Sequence, residues 1–313
     1  MKNIFLIAFI IFYSCTFSQK KTASYQPTEN KNELRILEDL KHIIETDIPR
    51  NYQNLKALNK VANYINTEFS KVCDTTYFQP YKAVDNEYKN VIGSLGVKNK
   101  ERIIIGAHYD VCGNSDGADD NASGVVGLLE LARRLANKNL KYRIDFVAYT
   151  LEEPPFFRTN KMGSYIHAKS VFDKKLPIKG MICLESIGYY SEKRNSQSFP
   201  VKEMENAYGT KGDFITVVQE NEAGSFSSQV TELMISQNEI KTVSFKGSKL
   251  VEGVDFSDHL NYWKFNYDAV MVTNTAFFRN KNYHTANDKL NTLDLKKMNS
   301  VIQQLYCTIQ QLE

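Results

Sequence analysis

The stretch from Ile103 to Glu130, IIIGAHYDVCGNSDGADDNASGVVGLLE, restricts the fold of this chain more than any other. Its apolar start, Ile103 to Ala107, reads as a buried strand. A loop bearing His108, Asp110, Asp116, Asp119 and Asp120 follows, and a helix begins near Ala122. A strand that delivers an imidazole and several carboxylates to its own C-terminal end, directly before a glycine-flanked helix start, is how open α/β sheets assemble a site. The expectation is a metal site.

The rest of the chain supplies the matching architecture. Apolar residues recur at helical spacing from Glu33 to Thr46 and again from Asn54 to Val72. Thr75 to Tyr81 and Tyr88 to Ser94 are rich in β-branched and aromatic residues and read as an antiparallel pair at a sheet edge. From there strands and helices alternate: strand Arg102 to Ala107, helix Ala122 to Ala136, strand Tyr142 to Thr150, helix Met162 to Phe172, strand Ile178 to Leu184. Ser191 to Gly212 is a polar excursion. Strands at Phe214 to Gln219, Lys241 to Phe245 and Ala269 to Thr273 alternate with helices at Ser225 to Ser236 and Ser257 to Lys264, and Leu293 to Leu312 closes the chain. This pattern predicts a three-layer α/β/α sandwich with a mixed, mostly parallel central sheet, in one catalytic domain over 32–313.

Residues 1–18 read as an export signal: Lys2 provides the positive start, Ile4 to Tyr13 the apolar run, and Thr16-Phe17-Ser18 a small-residue cleavage site. Phe12-Tyr13-Ser14-Cys15 also fits a loose lipobox, so Cys15 is either lipidated or removed, and a lipid anchor there is the one expected membrane contact. Residues 19–31 form a polar tether. The implied location is periplasmic, outer-membrane-anchored or secreted. With 39 basic and 36 acidic residues interspersed, the net charge of +3 leaves no footprint for nucleic acid. The cysteines beyond residue 18, Cys73, Cys112, Cys183 and Cys307, are widely spaced, so a disulfide is allowed and no pair is assigned.

Strand ends present His108, Asp120, Glu152 with Glu153, and Glu185, and a loop before the last helix presents His284. Two histidines with several carboxylates suit zinc better than magnesium. One ion would not use so many donors, whereas two sharing a carboxylate would. Adjacent Glu152 and Glu153 point in different directions, so one can ligate while the other faces a water. Each residue alone has a plainer reading, as a helix cap, a solvated acid or a hydrogen-bonded histidine. Their conjunction is what indicates chemistry.

HYD at 108–110, GADDNASG at 117–124, LEE at 151–153, LESIG at 184–188, FSDH at 256–259 and YHTAND at 283–288 resemble, in order, the motifs of the zinc metallopeptidase family typified by bacterial two-zinc aminopeptidases. The resemblance implies that His108 and Glu185 hold a first zinc and Glu153 and His284 a second. Asp120 would bridge them through a loop whose next peptide is often cis. Asp110 would orient His108, and Glu152 would be the general base. Asp258, His259 and Tyr283 would lie near the substrate, although Ser257 capping a helix accounts equally for the first two. Two departures stand out: Glu185 occupies a position more often Asp, and Pro154 to Met162 forms a longer aromatic loop than usual.

The implied activity is release of N-terminal residues from peptide substrates by two zinc ions. Carboxypeptidase specificity stays open. So do a single-zinc glutaminyl cyclase on the same fold, against which His108 speaks, and a non-catalytic surface module with structural metal, in which Glu152 would have no task.

Overall fold

The computed structural model describes residues 31–312, so the expected export signal and nearly all of the tether lie outside the described residues. Two amphipathic helices, α1 (Lys31–Ile44) and α2 (Leu55–Ser70), come first. Strands β1 (Thr75–Ala83) and β2 (Asn86–Leu95) pair antiparallel, with Thr75 opposite Ser94, as the β-branched and aromatic pattern predicts. Then follow β3 (Arg102–His108), α3 (Gly124–Leu135), β4 (Arg143–Tyr149), α4 (Gly163–Asp173) and β5 (Ile178–Glu185). The polar excursion carries one short helix, α5 (Lys202–Tyr208), and its ends pair through Ser191 and Gly212. The chain closes with β6 (Ile215–Glu220), α6 (Ser225–Ser236), β7 (Thr242–Gly247), α7 (His259–Trp263), β8 (Ala269–Thr273) and α8 (Leu295–Gln311).

These strands form one eight-stranded sheet in the order β1-β2-β4-β3-β5-β8-β6-β7. The central four, β4, β3, β5 and β8, are mutually parallel; β2 joins them antiparallel on one side and β6 on the other. Parallel strands covered on both faces read as continuous apolar runs, which is why Ile103 to Ala107 shows no polar alternation. Alternate residues nevertheless face different layers. Ile103 and Ile105 pack with the helices α1, α2, α3, α6 and α8 on one face. Ile104 packs on the other with Ala168 of α4 and with Tyr262 and Trp263 of α7.

The sheet order fixes the site. Since β4, β3 and β5 are neighbours and run in one direction, the residues at or just past their C-terminal ends must meet on one edge. Those residues include His108, the pair Glu152-Glu153, and Glu185.

Candidate metal centre

The carboxylate of Asp120 stands between two imidazoles, with Oδ1 at 3.3 Å from His108 Nε2 and Oδ2 at 3.1 Å from His284 Nε2. Glu185 Oε2 joins His108 Nε2 at 3.3 Å, and Glu153 Oε2 joins His284 Nε2 at 3.1 Å. Two donor sets therefore share one carboxylate: His108, Glu185 and Asp120 Oδ1, then His284, Glu153 and Asp120 Oδ2. Glu152 Oε2 lies 3.8 Å from His108 Nε2 and belongs to neither set's closest contacts.

Local backbone geometry explains why these loops, and not straight strands, carry the donors. Leu151, before the Glu pair, Ser186, after Glu185, and His284 itself all adopt positive φ, at 60°, 51° and 57°. Such conformations are uncommon for residues with a Cβ and gather at functional sites. The Asp120-Asn121 peptide is cis. The backbone is helical from Ala122, as expected, directly after Asp120 and Asn121, whose dihedrals are not helical, and α3 continues from Gly124. Gly124 then comes so near β5 that a Cβ there would sit 2.7 Å from the Leu184 carbonyl oxygen.

Supporting bonds hold each donor. Asp110 accepts the amides of Glu152 and Glu153, each at 3.2 Å. Its part differs in detail from the expected one: the closest contact to His108 Nδ1 is the Asp110 carbonyl at 3.2 Å, while the carboxylate stands at 3.6 Å and ties down the glutamate pair. Ser257 Oγ donates to Glu185 Oε2 at 2.7 Å, so this serine supports a ligand instead of capping α7. Asn121 spans the site edge, donating to the Leu184 carbonyl and accepting the Gly124 and Ser186 amides. Asp119 serves loop structure, accepting the Gly188 and Tyr189 amides and the side chains of Asn274 and Asn280.

Three further supports escaped the sequence reading. Arg50, from the loop between α1 and α2, is fully buried and donates to the Tyr109 and Gly117 carbonyls at 2.8 Å and to that of Asp116. Asp288 accepts the amides of Asp119 and Asp120, each at 3.0 Å. Cys112, counted before only as an isolated thiol, stands beside Glu153 and His284. Loop and motif position gave hints for Asp288 alone, which ends the YHTAND motif.

The site's electrostatics fit a cation. Burial, with the Asp120 charge added, pushes the Glu153 carboxyl up to about 7. Glu152 is raised well above its ordinary range by burial, with Glu153 as a further cause and His108 opposing. Burial opposes charging of His284, yet Asp120 and Glu153 lift it to about 11. His108 is likewise raised, its burial outweighed by Glu152 and Glu185. Acids that resist ionising beside imidazoles that resist losing protons mark a place where positive charge is wanted. Asp120 Oδ2 and Glu153 Oε1 are buried and accept no well-aligned hydrogen bond, which leaves lone pairs for a cation.

Of the residues expected near substrate, Tyr283 lines the cleft and stacks on His284 with centroids 3.9 Å apart. Asp258 is fully buried, and burial pushes its carboxyl up to about 7. His259 is also fully buried, bonded through Nε2 to the Val254 carbonyl at 2.8 Å with its ring edge-on to Trp263. Trp263 belongs to the core. The four cysteines among the described residues are free thiols. The aromatic loop after the Glu pair does wall the cleft: Pro154 and Phe157 line it with Phe256 and Phe277, and Arg158 pairs with Asp255 at 2.5 Å across its rim.

An α/β sandwich with paired histidine-carboxylate donor sets at the edge of its parallel strands defines a metallohydrolase. The sequence profile of peptidase family M28 matches residues 90–308, and the chain belongs to that family. It is 38% identical over 307 residues to the uncharacterized protein YfbL of Escherichia coli K12, covering 96% of this chain and 93% of the relative. The aminopeptidase LapA of Legionella pneumophila superposes with a TM-score of 0.69 at 21% identity, over 90% of this chain and 73% of its own. The glutaminyl cyclase of Fimbriiglobus ruber superposes with a TM-score of 0.70 at 17% identity, over 90% of this chain and 95% of its own. Those two likenesses establish the shared fold. As a member of family M28, the chain is a hydrolase of the metallopeptidase class.

Proposed function

We propose that the chain is a two-zinc aminopeptidase acting on peptides. The observation that carries this reading is the division of the Asp120 carboxylate between two donor sets, with Glu152 left over beside the first. A single-zinc site would leave one of the two donor sets without an ion, and a structural site has no use for Glu152.

Bound there, zinc supplies Lewis acidity for a carbonyl oxygen and lowers the pKa of water to about 7. The protein's part falls to Glu152. Its buried carboxylate, 3.8 Å from His108, takes the proton of the attacking water and returns it to the leaving amine. The raised proton affinity of Glu152 suits a group that must hold and then release a proton. Asp110 fixes the backbone of the Glu pair, so that the base and its ligand neighbour keep their separate directions.

Beside the metal residues a small apolar cavity is lined by Glu185 and by Phe199, Val254, Phe256, Met271 and Phe277. It shares Phe256, Phe277 and Tyr283 with the cleft that contains Glu152, Glu153 and His284. A peptide whose N-terminal residue has a large apolar side chain would fill the cavity with its terminal peptide bond at Glu152. Export, and a lipid anchor at Cys15, belong to the same reading: they rest on residues 1–18 and place the enzyme among extracytoplasmic peptides.

The test is a panel of aminoacyl amides with leucine, phenylalanine, methionine and glutamate, run with zinc beside N-acetylated and C-terminally free controls. Preferential release from the free, apolar members is expected. Release of C-terminal residues instead, or pyroglutamate formation from glutaminyl peptides with one bound zinc, would replace this reading with the carboxypeptidase or the cyclase.

A further inference from the structure

Cys112 lies just beyond Asp110 in a turn closed by the Ser115 amide on its own carbonyl at 3.2 Å, with Gly113 at φ 54°. The turn is fixed from two sides. Asn51 Nδ2 donates to the Gly113 carbonyl at 2.6 Å, and Ser115 Oγ donates to the Thr285 carbonyl at 3.0 Å. The second bond ties the turn directly to the loop that carries His284. In consequence Cys112 Sγ, a Glu153 carboxylate oxygen and a His284 ring nitrogen all lie within 4.8 Å of one another. Zinc bound at about 2.3 Å to sulfur and about 2.0–2.2 Å to nitrogen and oxygen sets its donors roughly 3–4 Å apart. The 4.8 Å limit on these three is within about 1 Å of that spacing.

An independent observation points to the same spot. Glu153 is 3% exposed, and its Oε1 has no hydrogen-bond partner. Asp120 Oδ2, which faces His284, is in the same condition.

We propose that Cys112 is a ligand of the second metal, completing a set with Asp120, Glu153 and His284. The inference rests on the two-metal reading above. Binding forms one metal–sulfur bond and breaks the S–H bond; the proton leaves to solvent and no electron is transferred. The two positions then differ in kind. Four protein ligands make the second a closed site of the structural sort, whereas His108, Glu185 and Asp120 give the first three, the number found in catalytic zinc sites. A thiolate also biases the second position toward zinc and away from magnesium or manganese.

Cobalt(II) titration of the full chain tests this. In the wild type a near-ultraviolet sulfur-to-cobalt charge-transfer band should grow with the second equivalent. C112S should lose that band while keeping the visible bands of the first ion, and its second zinc should bind roughly 10- to 100-fold more weakly. Two bound cobalt ions without the band, or a band that persists in C112S, would overturn the assignment. Fewer than two bound cobalt ions would remove it together with the two-metal reading. Should C112S not fold, alkylation of the wild type decides: cobalt must protect Cys112, and an unprotected Cys112 at full loading refutes it. Peptide hydrolysis is scored separately. A band without hydrolysis leaves the ligand standing and removes the peptidase, and hydrolysis without the band does the reverse.

Discussion

The carboxylate of Asp288 accepts the backbone amide of Asp120 at 3.0 Å, and so the loop that carries His284 grips the loop that carries Asp120. Its other oxygen takes the Asp119 amide, also at 3.0 Å, and its backbone carbonyl takes the amide of Ala118 at 3.2 Å. Since His284 sits four residues earlier on the same loop, the relative position of His284 and Asp120 passes through Asp288.

Asp288→Asn would set an amide group against two N–H donors that now share a carboxylate. Zinc affinity should fall by roughly 10- to 100-fold, the usual effect of losing a supporting partner of a metal ligand. Competition with a chromophoric chelator reads this directly. An unchanged affinity would show that Asp288 only closes a loop.

Much of this centre was legible in the sequence, for a specific reason. His108, the pair Glu152-Glu153 and Glu185 each end or follow an apolar run that identifies a strand, and neighbouring parallel strands must present their ends on one edge; Asp120 stands on the long loop after β3, just before its helix. The supports were not legible, because each depends on chain segments meeting at long range. Arg50 reaches the site from a loop before α2, outside the family match, and no local pattern separates it from a surface arginine. Ser257 looks like a helix cap in sequence and is a partner of Glu185 in space. The helix start near Ala122 was legible as well, whereas the non-helical kink at Asp120 and Asn121 before it was not.

Arg50 is a buried cation whose bonds go to backbone carbonyls, and burial pulls its pKa down to about 10. Replacing it by methionine keeps most of the apolar stem and leaves the Tyr109, Asp116 and Gly117 carbonyls without their donor. Each abandoned buried acceptor costs about 1–3 kcal/mol. Urea denaturation of the zinc-free protein should therefore show Arg50→Met less stable by about 3 kcal/mol or more, with an unchanged slope against denaturant. A loss under 1 kcal/mol would mean that water replaces the guanidinium.

Zinc binding should depend on pH in two regimes. His284 must lose its proton to ligate, and it is held up to about 11 by Asp120 and Glu153 against the effect of burial. Glu153 must be ionised and is pushed up to about 7 by burial and by Asp120. Burial holds the Cys112 thiol protonated over this range, so above pH 7 the second zinc displaces two protons, from His284 and from Cys112; below pH 7 it displaces one from Glu153 as well. The logarithm of its affinity should rise with slope about 2 from pH 7 to 8.5 and about 3 from pH 5.5 to 7, each lower by one if Cys112 is not a ligand. Calorimetry in buffers of different ionisation enthalpy counts the protons. A pH-independent affinity would mean that these groups are not its ligands.

Glu152→Gln separates the base from the ligands more sharply than any other substitution here. The amide preserves the shape of a side chain whose carboxylate lies 3.8 Å from His108, outside the closest contacts of both donor sets. It leaves Asp110 bonded to the backbone amides of residues 152 and 153, so Glu153 keeps its place. It also removes one of the carboxylates that raise His108, which eases loss of the imidazole proton. Both zinc ions should therefore remain by elemental analysis. Turnover should drop roughly 100- to 10,000-fold, the range for loss of a general base. The acid limb that Glu152 contributes to the pH–rate profile should vanish from the residual rate. Loss of zinc along with activity would make Glu152 a ligand, and near-normal turnover would remove it from the chemistry.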